Sequence, residues 1–286
     1  MSGIAVLALF AAALPQAVVL QPVVNLFAKP SKDSSVVSQA IYGANVVLLA
    51  RRSGWAQVRM ADNYTGWAPL QQLRVGKSYA VKGRVAEVRS LFAHLYRENS
   101  VTKHAPLLTV PFETRLEVLT ADDSWVKVRL PDDRIAWVQL GDLAFDRNPM
   151  DIPEMLEFSK RFLGLPYTWG GTSSFGYDCS GLTQMLERQR GIFMPRDAQP
   201  QAEWSGNQAV ERKEDLQPGD LLFFGKSPQH ITHTGMYLGQ GKFINATTYQ
   251  TPMVRIDDLN DPHWTQLLVA MRRPLPPRPA ATEAKK

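Results

Sequence analysis

The sequence predicts a multidomain protein in which two small all-β barrels precede an α+β domain. Three observations predict this architecture. Short alternating strands recur in an internal repeat, the pattern becomes helical near residue 151, and an ordered set of glycine-rich and polar motifs follows. The 286-residue chain is 44% hydrophobic and 21% charged, which excludes collagen-like and largely disordered classes of protein.

The internal repeat is the strongest signal in the N-terminal half. Residues 54–73 match residues 124–143 without a gap. The aligned pairs include Trp55 with Trp125, Val58 with Val128 and Trp67 with Trp137. Each copy reads as short alternating runs separated by turn residues, which is typical of small β-barrels. Two copies are too few for a solenoid, so we predict separate barrels at 18–76 and 77–147.

The N-terminus carries a continuous apolar run over residues 4–14. This run is too short for a membrane span, which needs about 20 residues, and its length suits the core of a signal peptide. We therefore expect residues 1–17 to be a signal peptide, cleaved near Ala13 or Ala17, and the protein to be exported. No Lys or Arg precedes the run, so a misassigned start or a buried first strand in a cytoplasmic protein stays open.

Charge and cysteine content limit the kinds of ligand, metal site and partner that this protein can have. The net charge is +5, but the Lys and Arg residues are scattered, so we expect no nucleic-acid partner and at most affinity for an anionic polymer. The single cysteine, Cys179, excludes an intramolecular disulfide and Cys-rich metal sites. We expect no metal, no cofactor and no stable membrane span. Nothing indicates an extended apolar interface, so a monomer is expected.

The pattern changes at the start of the C-terminal domain, predicted over 148–273. Asp151 and Glu154 suit a capping box ahead of apolar residues at helical spacing, and Gly164 ends this helix. Residues 264–273 read as the last strand. The proline-rich, polar segment 274–286 has no means of forming a core, so we predict a disordered tail.

Cys179 is predicted to lie in the first turn of a second helix, which Asp178 can cap. The helix dipole and free N–H groups there favour the thiolate and lower the pKa of the thiol. A nucleophilic cysteine needs a base, and His233, in a strand-like run that ends in glycine, is the candidate. If that run forms a hairpin, Asn245 shares a face with His233 and can fix its tautomer. On residue counts alone, an inert buried cysteine is the commoner case.

Five motifs in order carry a resemblance to a known family. They are LGLPYTWGG (163–171), DCSGL (178–182), MPRDAQPQ (194–201), LQPGDLLFF (216–224) and HTGMYLGQGKFINAT (233–247). Together they resemble the NlpC-type papain-like cysteine peptidases of bacterial cell-wall metabolism. The repeats, with G-W-x-x-V and Y-x-G-W, resemble bacterial SH3-like domains, which help to bind peptide or wall polymer or serve only as spacers. The whole chain is thus similar to the γ-D-glutamyl-L-diamino acid endopeptidases.

The resemblance implies a reaction and roles for catalytic residues. Members cut between D-Glu and the diamino acid of the peptidoglycan stem peptide, and several prefer a free N-terminal L-Ala. The implied partner is L-Ala-γ-D-Glu-diamino acid, with either meso-diaminopimelate or lysine. Cys179 matches the nucleophile, His233 the base and Asn245 the third polar position. Tyr167 matches a tyrosine that assists the oxyanion beside the Cys179 backbone N–H, and a packed aromatic is its alternative role.

The resemblance also implies a substrate groove. Asp197, which follows Arg196 as in the family's R-D pair, matches the residue that binds the free amine of L-Ala through a charge-assisted hydrogen bond. A helix cap or a surface ion pair is the alternative role of Asp197. Tyr64 matches a tyrosine that closes the pocket over L-Ala. The remaining candidates for contact with substrate are Arg196, Asp178, Ser180 and Trp169.

Three positions depart from the family pattern. Ser35 and Ala44 stand where many relatives carry Glu in the first barrel, and Ala198 stands where Ser or Thr is common. These departures put strict free-amine selection in doubt and would admit longer or capped stem peptides. A wall amidase or acyltransferase on the same fold and a non-catalytic wall-binding module are the alternative functions. Periplasmic or wall-associated localisation has a cytoplasmic recycling enzyme as its alternative.

Overall fold

The computed structural model describes residues 14–146 and 148–276, and three domains follow one another along the chain. Residues 1–13, most of the predicted signal peptide, lie outside the described residues, as do residues 277–286 of the tail predicted over 274–286. Within the described part, no helix has the length and apolar character needed to span a membrane.

The first domain is a small β-barrel built on one seven-stranded antiparallel sheet. Its strands are β1 Gln16–Val19, β2 Val23–Phe27, β3 Val36–Ile41, β4 Asn45–Arg52, β5 Trp55–Arg59, β6 Thr65–Pro69 and β7 Leu73–Val75. Their order is β3-β2-β6-β5-β4-β1-β7. Ala17 of β1 is fully buried between Val46 and Val75. The signal-peptide boundary predicted at residue 17 therefore falls inside a buried strand, while all but the last residue of the apolar run 4–14 lies outside the described residues.

The second domain is a similar barrel of seven strands. Its strands are β8 Val85–Val88, β9 Phe92–Leu95, β10 Leu108–Pro111, β11 Arg115–Ala121, β12 Trp125–Arg129, β13 Ile135–Gln139 and β14 Leu143–Ala144. They form a five-stranded sheet, β13-β12-β11-β8-β14, and a two-stranded sheet, β10-β9. Trp125 pairs with Gln139 across β12 and β13, as Trp55 pairs with Pro69 across β5 and β6. The matched sequence segments thus form the same hairpin, and the prediction of two small β-barrels is confirmed.

The third domain packs helices on a six-stranded antiparallel sheet, as an α+β fold requires. The helices are α1 Ile152–Ser159, α2 Cys179–Gln189, α3 Ala198–Glu203 and α4 Pro262–Leu267. The strands are β15 Thr172–Ser173, β16 Gly176–Tyr177, β17 Asn207–Ala209, β18 Leu221–Ser227, β19 His230–Gly239, β20 Lys242–Thr247, β21 Met253–Asp258 and β22 Leu268–Pro274. The sheet order is β17-β22-β18-β19-β20-β21, while β15 and β16 form a separate pair. Helix α2 packs on β19 and β20, which brings its residues to the hairpin.

The prediction of one strand over residues 264–273 is wrong in its first half. Helix α4 occupies Pro262–Leu267, and strand β22 begins only at Leu268. The Asp261 side chain accepts the backbone N–H of His263 at 2.8 Å, and Pro262 fits the first helical turn, where its missing N–H costs nothing. The cap therefore decides the local structure, and the short helix carries Trp264 toward the hairpin.

The first barrel docks on the glycine-rich loop 166–171 through β3. Thr172 donates from its backbone N–H to Gln39 Oε1 and from its hydroxyl to the Gln39 carbonyl oxygen, both at 3.2 Å. Gly170 has a φ of +74°, and a Cβ added there would lie 2.7 Å from Cγ1 of Val36. The loop that leads to helix α2 is therefore held by the neighbouring domain.

Replacing Gly170 with alanine is expected to weaken this docking. A side chain at this left-handed φ costs about 1–2 kcal/mol, and the clash with Val36 adds to that cost. Each kcal/mol lowers Tm by about 2–4 °C in domains of this size, so calorimetry should show a fall of about 4 °C or more. Gly164→Ala is the matched control, because its φ is +83° and no atom lies within 4 Å of the added Cβ. Equal shifts in both variants would contradict the docking role.

Candidate active site

Cys179 is the first residue of helix α2, as the sequence predicts. Asp178 occupies the N-cap, and its carboxylate accepts the backbone N–H of Gly181 at 2.7 Å. The Cys179 side chain is buried against β19, where the backbone N–H groups of Thr234 and Ser180 stabilise the sulfur. Thr234 directly follows His233, so the thiol and the imidazole belong to adjoining parts of one site.

The electrostatics of Cys179 differ from the sequence-based prediction of a lowered thiol pKa. Burial raises the pKa of the Cys179 thiol to about 12, and the Asp178 carboxylate acts in the same direction. The backbone donors and the Arg196 guanidinium favour the thiolate, but desolvation outweighs them. The prediction of a lowered thiol pKa is therefore wrong, since burial of Cys179 favours the neutral thiol.

His233 is partly buried on β19 and neutral at rest. Its Nε2 lies 2.9 Å from Oδ1 of Asn245. Burial lowers the pKa of His233 to about 4, although the Asn245 hydrogen bond acts in the opposite direction. The indole of Trp264 stacks on the imidazole with ring centroids 5.1 Å apart and planes 25° apart. The contact fixes the plane of the imidazole and shields it from water.

The hairpin places Asn245 as its register predicts. Met236 pairs with Ile244 across β19 and β20, which puts Asn245 diagonally opposite His233. Asn245 is fully buried, and its Nδ2 donates to Oδ2 of Asp257 at 2.9 Å. Sequence reasoning missed Asp257 and Trp264. The sequence contained one indication of Asp257, because it is a carboxylate in the alternating strand that directly follows the hairpin.

A buried ion pair lies beneath the start of helix α2. Arg196 is 2% exposed, and its two terminal nitrogens lie 3.0 and 2.6 Å from the two carboxylate oxygens of Asp178. The same guanidinium donates to the hydroxyl of Ser180 at 3.0 Å and to that of Ser38, on β3 of the first barrel, at 3.3 Å. The Arg196 side chain, a predicted substrate contact, is thus engaged within the protein, and the backbone around Asp178 and Ser180 stays the part predicted to line the substrate groove.

Tyr64 and Asp197 meet across the boundary between the first barrel and the third domain. The Tyr64 hydroxyl donates to Oδ2 of Asp197 at 2.9 Å, and burial together with this carboxylate raises the pKa of Tyr64 to about 12. Asp197 stands at the N-cap of α3 without making a side-chain cap, so its carboxylate is turned to the barrel instead. Asp62 and Trp204 line the same cavity, which measures about 380 Å³.

The two remaining aromatic candidates differ in exposure. Tyr167 is partly buried, and its pKa is raised by burial and by the Asp178 carboxylate, so its hydroxyl stays protonated and able to donate. Trp169 is 68% exposed on the surface of the glycine-rich loop. Ser35 is also exposed, and Ala44 is partly buried in the first barrel.

The acid limb of activity is expected near pH 4. His233 must be neutral to accept the thiol proton, so activity is retained above its folded pKa of about 4 and is lost as the pH falls through that value. An unperturbed imidazole would put this limb near 6.5. The measurement is kcat/KM from pH 3.5 to 8, with circular dichroism at each pH to separate titration from unfolding. A limb between pH 6 and 7 in folded protein would contradict this account.

Comparison with known families gives three matches along the chain. The NlpC/P60 family model matches residues 164–273. The model described as the bacterial dipeptidyl-peptidase SH3 domain matches residues 26–73, and that described as the YKFC SH3b2 domain matches residues 88–145. The matched segments fall within the two barrels and the third domain. The segment in the third domain, residues 164–273, contains Cys179, His233 and Asn245.

Individual relatives extend over most of the chain. A Bacillus cereus protein named gamma-D-glutamyl-L-lysine dipeptidyl-peptidase is 36% identical over 258 residues, which are 84% of this chain and 75% of the relative. A Bacillus subtilis protein of the same name is 28% identical over 253 residues, 84% of this chain and 82% of the relative. The crystal structure of an NlpC/P60 family protein from Bacillus cereus matches with a TM-score of 0.80 at 29% identity, over 91% of this chain and 100% of that one.

Proposed function

The chain belongs to the NlpC/P60 family, and we propose that it is a cysteine endopeptidase that cuts the γ-D-glutamyl-diamino acid bond of peptidoglycan stem peptides. The two Bacillus relatives, both named gamma-D-glutamyl-L-lysine dipeptidyl-peptidase, support this class of bond. The observation that carries the proposal is the hydrogen-bonded His233–Asn245 pair beside a cysteine at the start of a helix. No metal or organic cofactor is required for such a reaction.

The reaction begins with a neutral thiol and a neutral imidazole. His233 takes the Cys179 proton at Nδ1 as the sulfur attacks the γ-carbonyl carbon of D-Glu. The tetrahedral intermediate collapses when His233 passes that proton to the leaving amine of the diamino acid, and a thioester to Cys179 remains. Water then gives a proton to His233, its oxygen attacks the thioester, and the thiol recovers the proton as the L-Ala-γ-D-Glu product leaves.

Charge on the carbonyl oxygen grows during both attacks. The Cys179 backbone N–H, in the unpaired first turn of α2, is one donor for this oxygen. The Tyr167 hydroxyl is the other proposed donor, because burial raises its pKa and the hydroxyl keeps its proton. A donor aimed at the oxyanion acts only in the transition state, which is why it contributes to kcat.

Substrate selection is assigned to the boundary between the first barrel and the catalytic domain. The Asp197 carboxylate, positioned by Tyr64, is proposed to bind the free ammonium of L-Ala. Ser35 and Ala44 supply no carboxylate, but Asp62 lines the same cavity as Asp197 and adds a second negative charge. A free-amine requirement favours small fragments, whether they are met outside the membrane, as the expected export implies, or in cytoplasmic recycling.

Mass spectrometry of digests tests the proposal. L-Ala-γ-D-Glu-meso-diaminopimelate and the lysine peptide are incubated with the wild-type enzyme. The expected products are L-Ala-γ-D-Glu and the free diamino acid, and the two rates rank the diamino acids. Release of L-Ala alone, acyl transfer to another amine or cleavage elsewhere would overturn the assignment in favour of an amidase or acyltransferase. Binding to peptidoglycan without hydrolysis would indicate a non-catalytic wall-binding module.

A further inference from the structure

Both ends of the Asn245 side-chain amide make hydrogen bonds. Its Oδ1 lies 2.9 Å from His233 Nε2, and its Nδ2 donates to Asp257 Oδ2 at 2.9 Å. Asn245 is fully buried and Asp257 is 6% exposed, so water does not compete for these bonds. Asp257 also accepts from Arg255, which neutralises the buried carboxylate. The resulting chain of side chains is His233–Asn245–Asp257–Arg255.

The Asp257 carboxylate at 2.9 Å, with the backbone carbonyl of Arg255 farther away at 3.4 Å, decides which way the Asn245 amide points. A carboxylate only accepts hydrogen bonds, so Asp257 requires the NH₂ end of Asn245 on its side. The flipped amide would place Oδ1 against the carboxylate oxygen and leave two buried acceptors facing each other. With the amide fixed, Oδ1 faces His233, and only a proton on Nε2 of the imidazole can satisfy it.

We propose that Asp257 is a positioning residue for the reaction, which acts through Asn245 to hold His233 as the Nε2-protonated tautomer with Nδ1 free to take the Cys179 proton. The proposal rests on the proposed function only in taking Cys179 and His233 as the reacting pair. The carboxylate also favours the imidazolium that forms when the thiol proton arrives, since its charge lies two hydrogen bonds from the ring.

If Asp257 had only a structural role, its negative charge would not be needed. A buried carboxylate is costly even when it is paired, and Arg255 is required to offset it. Arg255 is itself held by the backbone carbonyl of Tyr249 at 3.3 Å. An uncharged acceptor would join β20 to β21 as well, so the charge is explained by the orientation it imposes on the amide.

Asp257→Asn tests the proposal, because an amide at position 257 can bond to either orientation of Asn245 and leaves only the longer contact with the Arg255 carbonyl to favour one of them. We expect kcat to fall about 10- to 100-fold, the usual cost of losing a group that orients a functional side chain, while KM stays within about twofold. Asp258→Asn is the matched control. That carboxylate is the next residue on the strand, is partly exposed and pairs with Lys242, so its loss should leave kcat unchanged. A folded Asp257→Asn variant with wild-type kcat would overturn the proposal.

A double variant separates positioning from structural support. If Asp257 acts through Asn245, the variant carrying Asn245→Ala and Asp257→Asn should lose no more activity than Asn245→Ala alone. Losses that multiply would show that Asp257 acts independently and would overturn the proposal. Should Asp257→Asn fail to fold, Asp257→Ser, which keeps an acceptor but no charge, is measured in the same two ways.

Two readouts need no substrate and so distinguish this proposal from the proposed function. The first is the rate at which iodoacetamide alkylates Cys179, the only cysteine, which should fall with kcat in Asp257→Asn. The second is the ¹⁵N spectrum of the histidines, in which the His233 signal should shift from the Nε2-protonated form to a tautomer mixture. If no stem peptide is cut, the proposed function fails while these readouts still test Asp257. An unchanged spectrum and alkylation rate would overturn the positioning role.

Discussion

Replacing Cys179 with alanine is expected to abolish hydrolysis of the stem peptide while the fold is retained. Because the sulfur forms the covalent bond in both steps, its loss removes the reaction path, and kcat should fall by more than about 10⁴-fold. The fold should survive, since alanine is the best helix former and the cap from Asp178 to Gly181 does not involve the thiol. Product release followed by mass spectrometry, with Tm measured beside it, checks both expectations.

The single cysteine supplies an independent control for this variant. Alkylation of the wild-type protein modifies only Cys179, so it should reproduce the loss of activity without any substitution. Residual hydrolysis above about 1% in either preparation would show that another group attacks the carbonyl. In that case the cysteine is an inert buried side chain, and the assignment of Cys179 as the nucleophile is wrong.

Replacing Asp197 with asparagine is expected to cost about 10- to 150-fold in kcat/KM on the free peptide. A hydrogen bond to a charged group is worth about 1.5–3 kcal/mol, and each 1.36 kcal/mol is a factor of ten. Asparagine keeps the acceptor for Tyr64 but removes the charge that the L-Ala ammonium needs. Asp33→Asn, which alters an exposed carboxylate on the first barrel, is the matched control and should have no effect.

A capped peptide tests whether the activity lost in Asp197→Asn comes from the lost contact with the substrate's free amine. The same stem peptide joined to N-acetylmuramic acid has no ammonium, so wild type and Asp197→Asn should cut it at equally low rates. An Asp197→Asn variant that loses as much on the capped as on the free peptide would contradict the amine-binding role. Equal rates of the wild type on both peptides would mean that the Ser35 and Ala44 departures open the pocket, as a wall-remodelling hydrolase requires.

Much of the fold follows from local patterns in the sequence. The 70-residue offset of the repeat predicts two equivalent hairpins, and the pairs Trp55–Pro69 and Trp125–Gln139 realise them. The capping box at Asp151 and Glu154 is present with both of its hydrogen bonds. The strand predicted over 264–273 is wrong at its start because the cap that Asp261 provides begins helix α4 there.

The site was predictable where local sequence determines it and not where distant elements meet. A helix start places Cys179, and hairpin register places Asn245 near His233. The partnership of Arg196 with Ser38 joins residues 158 positions apart, and no local pattern contains it. The thiol pKa also depends on how deeply the third domain buries the helix start, so the helix-dipole argument alone gave the wrong direction.

The mass of the enzyme quenched with acid during turnover shows directly which residue is acylated and by what. We predict a covalent adduct of L-Ala-γ-D-Glu, one thioester per chain, on the peptide that contains Cys179, and no adduct in Cys179→Ala. Slower turnover in Asn245→Ala should change the amount of this adduct but not its mass. An adduct that retains the diamino acid, or one on any other residue, would contradict the proposed bond and the proposed nucleophile.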